Sequence, residues 1–215
     1  MDEDLSEQTR AAYDAVARDY ANLIPDTEFE ASLDLAMVEA FTQEMSERSD
    51  AHILDAGCGA GRMIAYLQTL SPSLRITGID VSAEMLHLAR KAHPRSRFTS
   101  AELSSTGYPD REFEGILAWY SIIHTNPTRL SAVVAEFARV LRPGGLVLLG
   151  YQSGEGHRDL DQPYGHEVEL RAFLYRTGDV VAALSTGGFD LVARLDRAAR
   201  RSERCAQGFV LARRR

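Results

Sequence analysis

Residues 53–61 read ILDAGCGAG. Two apolar residues, Ile53 and Leu54, lead into an acid, Asp55, and glycines follow at alternate positions, Gly57, Gly59 and Gly61, with Cys58 between the first two. An apolar run that ends in a glycine turn and a helix start predicts a buried parallel strand whose terminal loop lets a ligand approach the backbone. Spacing narrows the ligand. A dinucleotide turn, G-x-G-x-x-G, requires glycine at position 62, where the chain has Arg62, and a P-loop requires Lys followed by Ser or Thr, where it has Arg62 and Met63. A pyrophosphate gains nothing from a carboxylate two residues before the first glycine. That carboxylate suits an ammonium or sulfonium group.

Further acids stand at the ends of later apolar runs. Leu74–Ile79 delivers Asp80, whose carboxylate can accept both hydroxyls of a ribose. Ser82 reads as the N-cap of the next helix, with Glu84 placed favourably in its first turn. Arg97–Ala101 ends at Glu102 and Leu103. The run 113–120, FEGILAWY, is nearly all apolar, as expected of a strand covered on both faces. Ligands of an open parallel sheet bind beyond the carboxyl ends of its strands, so Asp55, Asp80, Glu102, Trp119, Tyr120 and Tyr151 are expected to converge on one crevice. His124 lies just past the fourth run and is the candidate general base, because histidine titrates near neutral pH; a hydrogen-bonded structural histidine or a pocket wall is the alternative. Tyr120, His157, Tyr164 and His166 are further candidates to face the pocket. His157, Asp159, Asp161 and His166 fall within ten residues, but their spacing fits no recognised ligand set and no metal is predicted.

Ile53–Gly61 resembles the hh-D-x-G-x-G-x-G signature of the class I S-adenosylmethionine (SAM)-dependent methyltransferases. GIDVSAEML (78–86) is similar to the second motif of that family, and RVLRPGGLVLL (139–149) to its post-catalytic helix, turn and fifth strand. The resemblance implies SAM as cofactor, S-adenosylhomocysteine (SAH) as product, and a cofactor turn built from Asp55, Gly57, Cys58, Gly59 and Gly61. It further implies Asp80 on the ribose, Val81 and Met85 against the adenine, Glu102 on the adenine amino group, the Leu103 N–H on a ring nitrogen, and Ala118 beside the methionine part. Glu102 departs from the commoner Asp by one methylene. YDAVARDYA (13–21) resembles the family's N-terminal lid, in which Tyr13 and Tyr20 would cover the methionine end.

The elements that must position these residues follow from periodicity. Leu5, Ala12, Tyr13, Val16, Ala17, Tyr20 and Ile24 share one helical face; Phe29, Leu33, Met37, Ala40, Phe41 and Met45 form a second stripe after the break at Pro25. The two helices are expected to form a cap. Asn126 and Pro127 read as N-cap and first residue of a helix with Leu130, Val133, Val134, Phe137 and Leu141 inward, ended by Pro143-Gly144-Gly145. Ser153–Tyr164 reads as a mobile loop over the site, Val168–Phe173 as a strand, Thr177–Ser185 as a helix, and Phe189–Leu195 with Gly208–Leu211 as a closing antiparallel pair. The expected fold is α/β, a Rossmann-like seven-stranded mixed sheet, mostly parallel with the last strand antiparallel, with helices on both faces. The chain is expected to be one domain over 1–215, with a cap at 1–48, a cofactor-binding core at 49–152 and a substrate-side loop and closing strands at 153–215.

Composition bounds the function classes. A net charge of −7 on 215 residues argues against nucleic acid, and the late arginines, from Arg194 to Arg215, read as a solvated face and tail. Two cysteines, Cys58 and Cys205, give no zinc spacing and no disulfide framework. The acidic start MDEDLSEQTR lacks an apolar leader and no apolar run reaches about 18 residues, so a cytoplasmic protein off the membrane is expected, as monomer or homodimer. The expected activity is transfer of a methyl group by in-line displacement to a small-molecule acceptor, at O or N, with Trp119 and its aromatic neighbours favouring an apolar or aromatic one. A SAM- or SAH-binding protein without methyl transfer is one alternative, and a protein or nucleic-acid methyltransferase is another. The latter lacks support from N/D-P-P-Y/F after the fourth strand, where the chain has Trp119-Tyr120-Ser121-Ile122.

Overall fold

The computed structural model describes residues 2–48 and 50–215. Two helices, α1 (Asp2–Leu23) and α2 (Ser32–Ser46), precede β1 (His52–Ala56), α3 (Arg62–Leu70), β2 (Arg75–Asp80), α4 (Ala83–Ala92), β3 (Arg97–Ser100) and β4 (Phe113–Trp119). After two short 3-10 turns come α5 (Leu130–Val140), β5 (Leu141–Ser153), β6 (His157–Leu160), β7 (Leu170–Phe173), α6 (Thr177–Thr186), β8 (Phe189–Arg197) and β9 (Ala206–Arg214). Seven strands among the described residues form one sheet in the order β3-β2-β1-β4-β5-β9-β8. All are parallel except β9, which runs antiparallel to both β5 and β8. The chain winds outward in opposite directions from β1 and β4, and a crevice opens at that switch beyond their carboxyl ends.

Alternation along the strands feeds two cores. Leu54, Ala56, Ile116, Ala118, Val147, Leu149 and Tyr151 pack with Val133, Phe137, Val180 and Leu184 of α5 and α6. Ile53, Leu117, Leu146 and Leu148 pack on the other face with Phe41 and Met45 of α2, Ile64 and Leu67 of α3, and Leu86 of α4.

This arrangement corrects several expectations. The helix α2 does not cap the crevice but covers the sheet face, and its buried stripe is Asp34, Val38, Phe41, Thr42 and Met45. Phe29 and Leu33, assigned inward by periodicity, are 60% and 57% exposed. The helix is rotated because fully buried Asp34 pairs with Arg197 (2.6 Å), which also holds Glu203 (2.6 Å). A charge taken out of water must be paired, and that requirement outweighs two leucine-sized burials. The loop predicted over 153–164 contains β6, which pairs antiparallel with β7. Its residues HRDL alternate half-buried and exposed, so no apolar period marks the strand. The strand β5 begins at Leu141 rather than Leu146, with an irregular register where Pro143-Gly144-Gly145 passes Glu114. Asn126 does cap, accepting from Thr128 N (3.1 Å), but it opens the 3-10 turn Pro127–Arg129 ahead of α5.

Candidate active site

The crevice holds a cavity of about 340 Å³ and, beside it, a second of about 320 Å³. Tyr20, Ile24, Gly57, Gly59, Arg62 and Trp119 line both and form the partition. Of the residues singled out from sequence, Tyr13, Asp80, Val81, Met85, Glu102, Leu103, Tyr120 and His124 line the larger cavity together with Tyr20, Gly57 and Gly59. Asp55 and Cys58 line the smaller.

Gly57 has φ +81°, and a Cβ there would stand 2.2 Å from Ser121 Cβ, so the turn after β1 closes against the loop after β4 only without a side chain. The N–H groups of Gly57 and Cys58 both reach Ile79 O (2.8 and 2.9 Å), which ties the turn to β2. Asp55, at the foot of the turn, is buried, and its Oδ2 has no hydrogen-bond partner among the described residues. Burial raises its pKa to about 7 against the opposing pull of Arg62. Asp80 receives N–H donors from Gly59 on Oδ2 (2.9 Å) and Ser82 on Oδ1 (2.9 Å). Burial raises its pKa and these donors hold it down. Ser82 caps α4 as predicted, accepting from Met85 N (3.1 Å).

The helix α1 lies across this crevice. Ser6 Oγ donates to Glu102 Oε1 (2.8 Å), and Asp14 accepts from Ser82 Oγ (2.6 Å) and Glu84 N (3.2 Å) at the start of α4. Asp19 pairs with His166 (2.7 Å), while Tyr20 meets the Tyr164 ring edge-on. Tyr13 Oη lies 2.8 Å from His124 Nε2. His124 Nδ1 lies 2.7 Å from Arg171 O, so Nδ1 carries the proton and Nε2 accepts from the phenol. Burial pushes His124 down to about 4 and Tyr13 well above its usual range, which leaves both neutral at pH 7.

Other predicted positions fall elsewhere. Ala118 lies in the core beneath α5 and lines neither cavity, because its side chain alternates away from Trp119. Gly61, at φ +91°, is the N-cap of α3, where a Cβ would strike the His93 ring at 2.6 Å; it also lines neither cavity. Tyr151 is fully buried among the core residues of α5 and α6, and the next residue, Gln152, reaches the crevice instead. His157 and His166 line neither cavity, whereas Tyr164 lines the larger. Tyr120 has φ +57°, packs edge-on to Trp119 and Phe209, and is held neutral by burial and the neighbouring carboxylate of Glu30. Among the described residues it has no histidine acceptor of the kind His124 provides for Tyr13.

Sequence reasoning missed an ion pair at the partition. Arg62 donates to Glu30 Oε1 (2.7 Å), and Trp119 Nε1 donates to the same oxygen (3.0 Å). Glu30 sits in the linker between α1 and α2, where nothing local marks it. It also missed Arg129 and Asn126, which line the larger cavity on the segment between β4 and α5.

Residues 53–145 match the family model described as a methyltransferase domain. The chain is 37% identical over 99 residues to an O-methyltransferase of Pyrenophora dematioidea, which covers 43% of this chain and 36% of that one. It spans less than two thirds of the length of the curated relatives it matches. Its fold is similar to that of the 1,6-didemethyltoxoflavin-N1-methyltransferase of Burkholderia thailandensis, at TM-score 0.72 and 19% identity, covering 100% of this chain and 90% of that one. The [4+2]-cyclase SpnF is similar in fold too, at TM-score 0.71 and 18% identity, covering 97% and 96%. A mostly parallel sheet with one reversed strand, a glycine turn after β1 and acids at three successive strand ends make a Rossmann-like fold whose crevice has room for a nucleoside ligand. Over residues 53–145 the chain is thus similar to methyltransferase domains, and its fold is similar to that of S-adenosylmethionine-dependent methyltransferases.

Proposed function

We propose that this chain binds SAM and transfers its methyl group to a small-molecule acceptor, leaving SAH. The observation that carries the reading is the buried, unpartnered Oδ2 of Asp55 beside the glycine turn. A carboxylate without a donor in a dry site is unfavourable, and the ammonium of an amino-acid ligand satisfies it. The rest of the crevice fits the same ligand: Asp80 offers its remaining lone pairs to ribose hydroxyls, Val81 and Met85 form an apolar wall, and Glu102 offers an acceptor to an exocyclic amine. Bound there, SAM supplies a methyl group already activated by its sulfonium, so no acid is required for the leaving group.

The protein's task is then to place the acceptor in line and receive its proton. Within this reading Tyr13 takes the acceptor's O–H or N–H proton on its oxygen as its own proton passes to His124 Nε2. The imidazolium that forms keeps its Nδ1–H on Arg171 O, and no charge is left on the phenol. A base with a pKa of about 4 does not deprotonate a free acceptor. It receives the proton only as methyl transfer makes the acceptor acidic.

The test is calorimetric titration with SAM, SAH, NAD and ATP, followed by an acceptor screen that detects SAH release. Binding of SAM and SAH alone supports the reading, and binding of NAD or ATP instead overturns it. The likeness to a [4+2]-cyclase favours one second reading, in which the same site holds SAM or SAH for chemistry other than methyl transfer. That reading expects SAM binding with no SAH released on any acceptor.

A further inference from the structure

Resting on the proposed methyl transfer, we infer that the acceptor carries a carboxylate, held by Arg129 and the side-chain amide of Asn126 in the larger cavity. The argument begins with the charges that line this cavity. Arg62 is neutralised by Glu30 (2.7 Å). Asp80 is held by two backbone N–H groups, and Glu102 receives Ser6 Oγ. His124 is neutral with both nitrogens engaged. Arg129 lines the same cavity, and among the described residues its guanidinium has neither a carboxylate nor a carbonyl partner. Among the described residues it is the cation of this cavity that no carboxylate neutralises.

Asn126 adds donors beside it. Its Oδ1 is taken by Thr128 N (3.1 Å) and Thr128 Oγ1 (2.9 Å), which fixes the amide orientation and leaves Nδ2 as a donor without a partner among the described residues. A guanidinium and a carboxamide N–H₂ on one short segment present only donors. Donors alone match a planar anion, and the guanidinium can bind a carboxylate through two parallel hydrogen bonds.

The segment is also held in place. Tyr175 Oη donates to Ile122 O (3.0 Å) and Thr125 O (2.5 Å), fixing the backbone on both sides of His124 ahead of Asn126. The remaining wall beside these donors includes Leu103, Ile123 and Val133, which suits an apolar body on the anion. A carboxylate at Arg129 thus orients its carrier toward Tyr13 and His124, five residues earlier on the same segment.

The probes are benzoate and phenylacetate against their neutral amides, benzamide and phenylacetamide, titrated into the free and the SAH-saturated chain and followed by NMR shifts. The acids are expected to bind saturably and about tenfold or more tighter than the amides. Arg129→Gln is expected to bring the acids down to the amides' affinity with SAH affinity unchanged, and Arg129→Lys to retain part of the preference. Equal affinities of acid and amide in the native chain, no binding of the acids, or an undiminished preference in Arg129→Gln would each overturn the proposal. Comparison of acid with amide needs no variant, so it decides the matter even if Arg129→Gln does not fold. Failure of SAH to bind, with the preference for acids intact on the free chain, would sink the methyltransferase reading and leave the anion subsite standing.

Discussion

The hydroxyl of Tyr13 lies 2.8 Å from Nε2 of His124 across 111 residues of sequence, and the opposite nitrogen of that imidazole is held by the carbonyl of Arg171. The histidine therefore has no free nitrogen for a substrate. Any proton it receives comes through the tyrosine.

Replacing Tyr13 by Phe removes the oxygen but keeps the ring against Tyr20. Turnover with an acceptor found by SAH release is expected to fall on the order of 100-fold, the lower range for loss of a proton-transfer group. SAH affinity measured by calorimetry should change far less. Equal losses in both would make Tyr13 a wall of the lid and nothing more.

Neutral burial of His124 links stability to pH. Its folded pKa of about 4 lies below the 6.5 of the unfolded chain, so the unfolded state takes up a proton first as pH falls. Stability contributed by the neutral side chain is present above pH 6.5 and is lost between about 6.5 and 4, by up to about 3 kcal/mol. His52 and His93 are shifted downward as well and act in the same window. The contribution of His124 is accordingly read as a difference: denaturant unfolding at pH 7 and pH 4.5 should show a smaller loss for His124→Gln than for the native chain.

Asp55 has the opposite sign. A pKa raised from 3.8 to about 7 means that stability present at low pH is lost as the group ionises, so Asp55→Asn should stabilise the ligand-free protein above pH 7. The gain is up to about 4 kcal/mol. The same variant should lose the rise in melting temperature that SAM brings to the native protein. A variant that is no more stable and still responds fully to SAM would show that Asp55 neither stores this unfavourable charge nor meets the ligand.

Asp80→Ala removes an acceptor from the crevice and also frees the N–H groups of Gly59 and Ser82. SAM affinity is expected to weaken by on the order of 1–3 kcal/mol, the range for charged hydrogen bonds. Unchanged affinity with an intact fold would remove Asp80 from the ribose.

Glu30→Ala leaves Arg62 without its partner and Trp119 Nε1 without its acceptor. With Arg62 and Glu30 side chains only 13% and 7% exposed, an orphaned cation should destabilise the chain by about 2–4 kcal/mol. The double variant with Arg62→Ala should recover part of that loss. Additive losses in the double-mutant cycle would count against coupling between the pair.

Much of the crevice was legible in the chain itself. Strand ends, the glycine turn and the cap at Ser82 are local: an apolar run, a residue that tolerates positive φ, or a hydroxyl three residues before an N–H determines each one without distant partners. Those features predicted the seven-stranded sheet and the positions of Asp55, Gly57, Asp80 and Glu102 along the crevice. Alternation, too, is local, but which face a strand's odd residues take is not. That choice buried Ala118 and Tyr151 in the core of α5 and α6 and brought Gln152 to the crevice.

Tertiary structure alone decided the rest. The rotation of α2 follows from Asp34 meeting Arg197, 163 residues away, and the pairing of β6 follows from β7, since HRDL carries no strand period of its own. Glu30 reaches Arg62 and Trp119, and Tyr13 reaches His124, only because α1 and its linker fold back across the strand ends. Residue types and near spacing determine backbone conformation, whereas a charge or a proton acceptor finds its partner through packing that no short window of sequence contains.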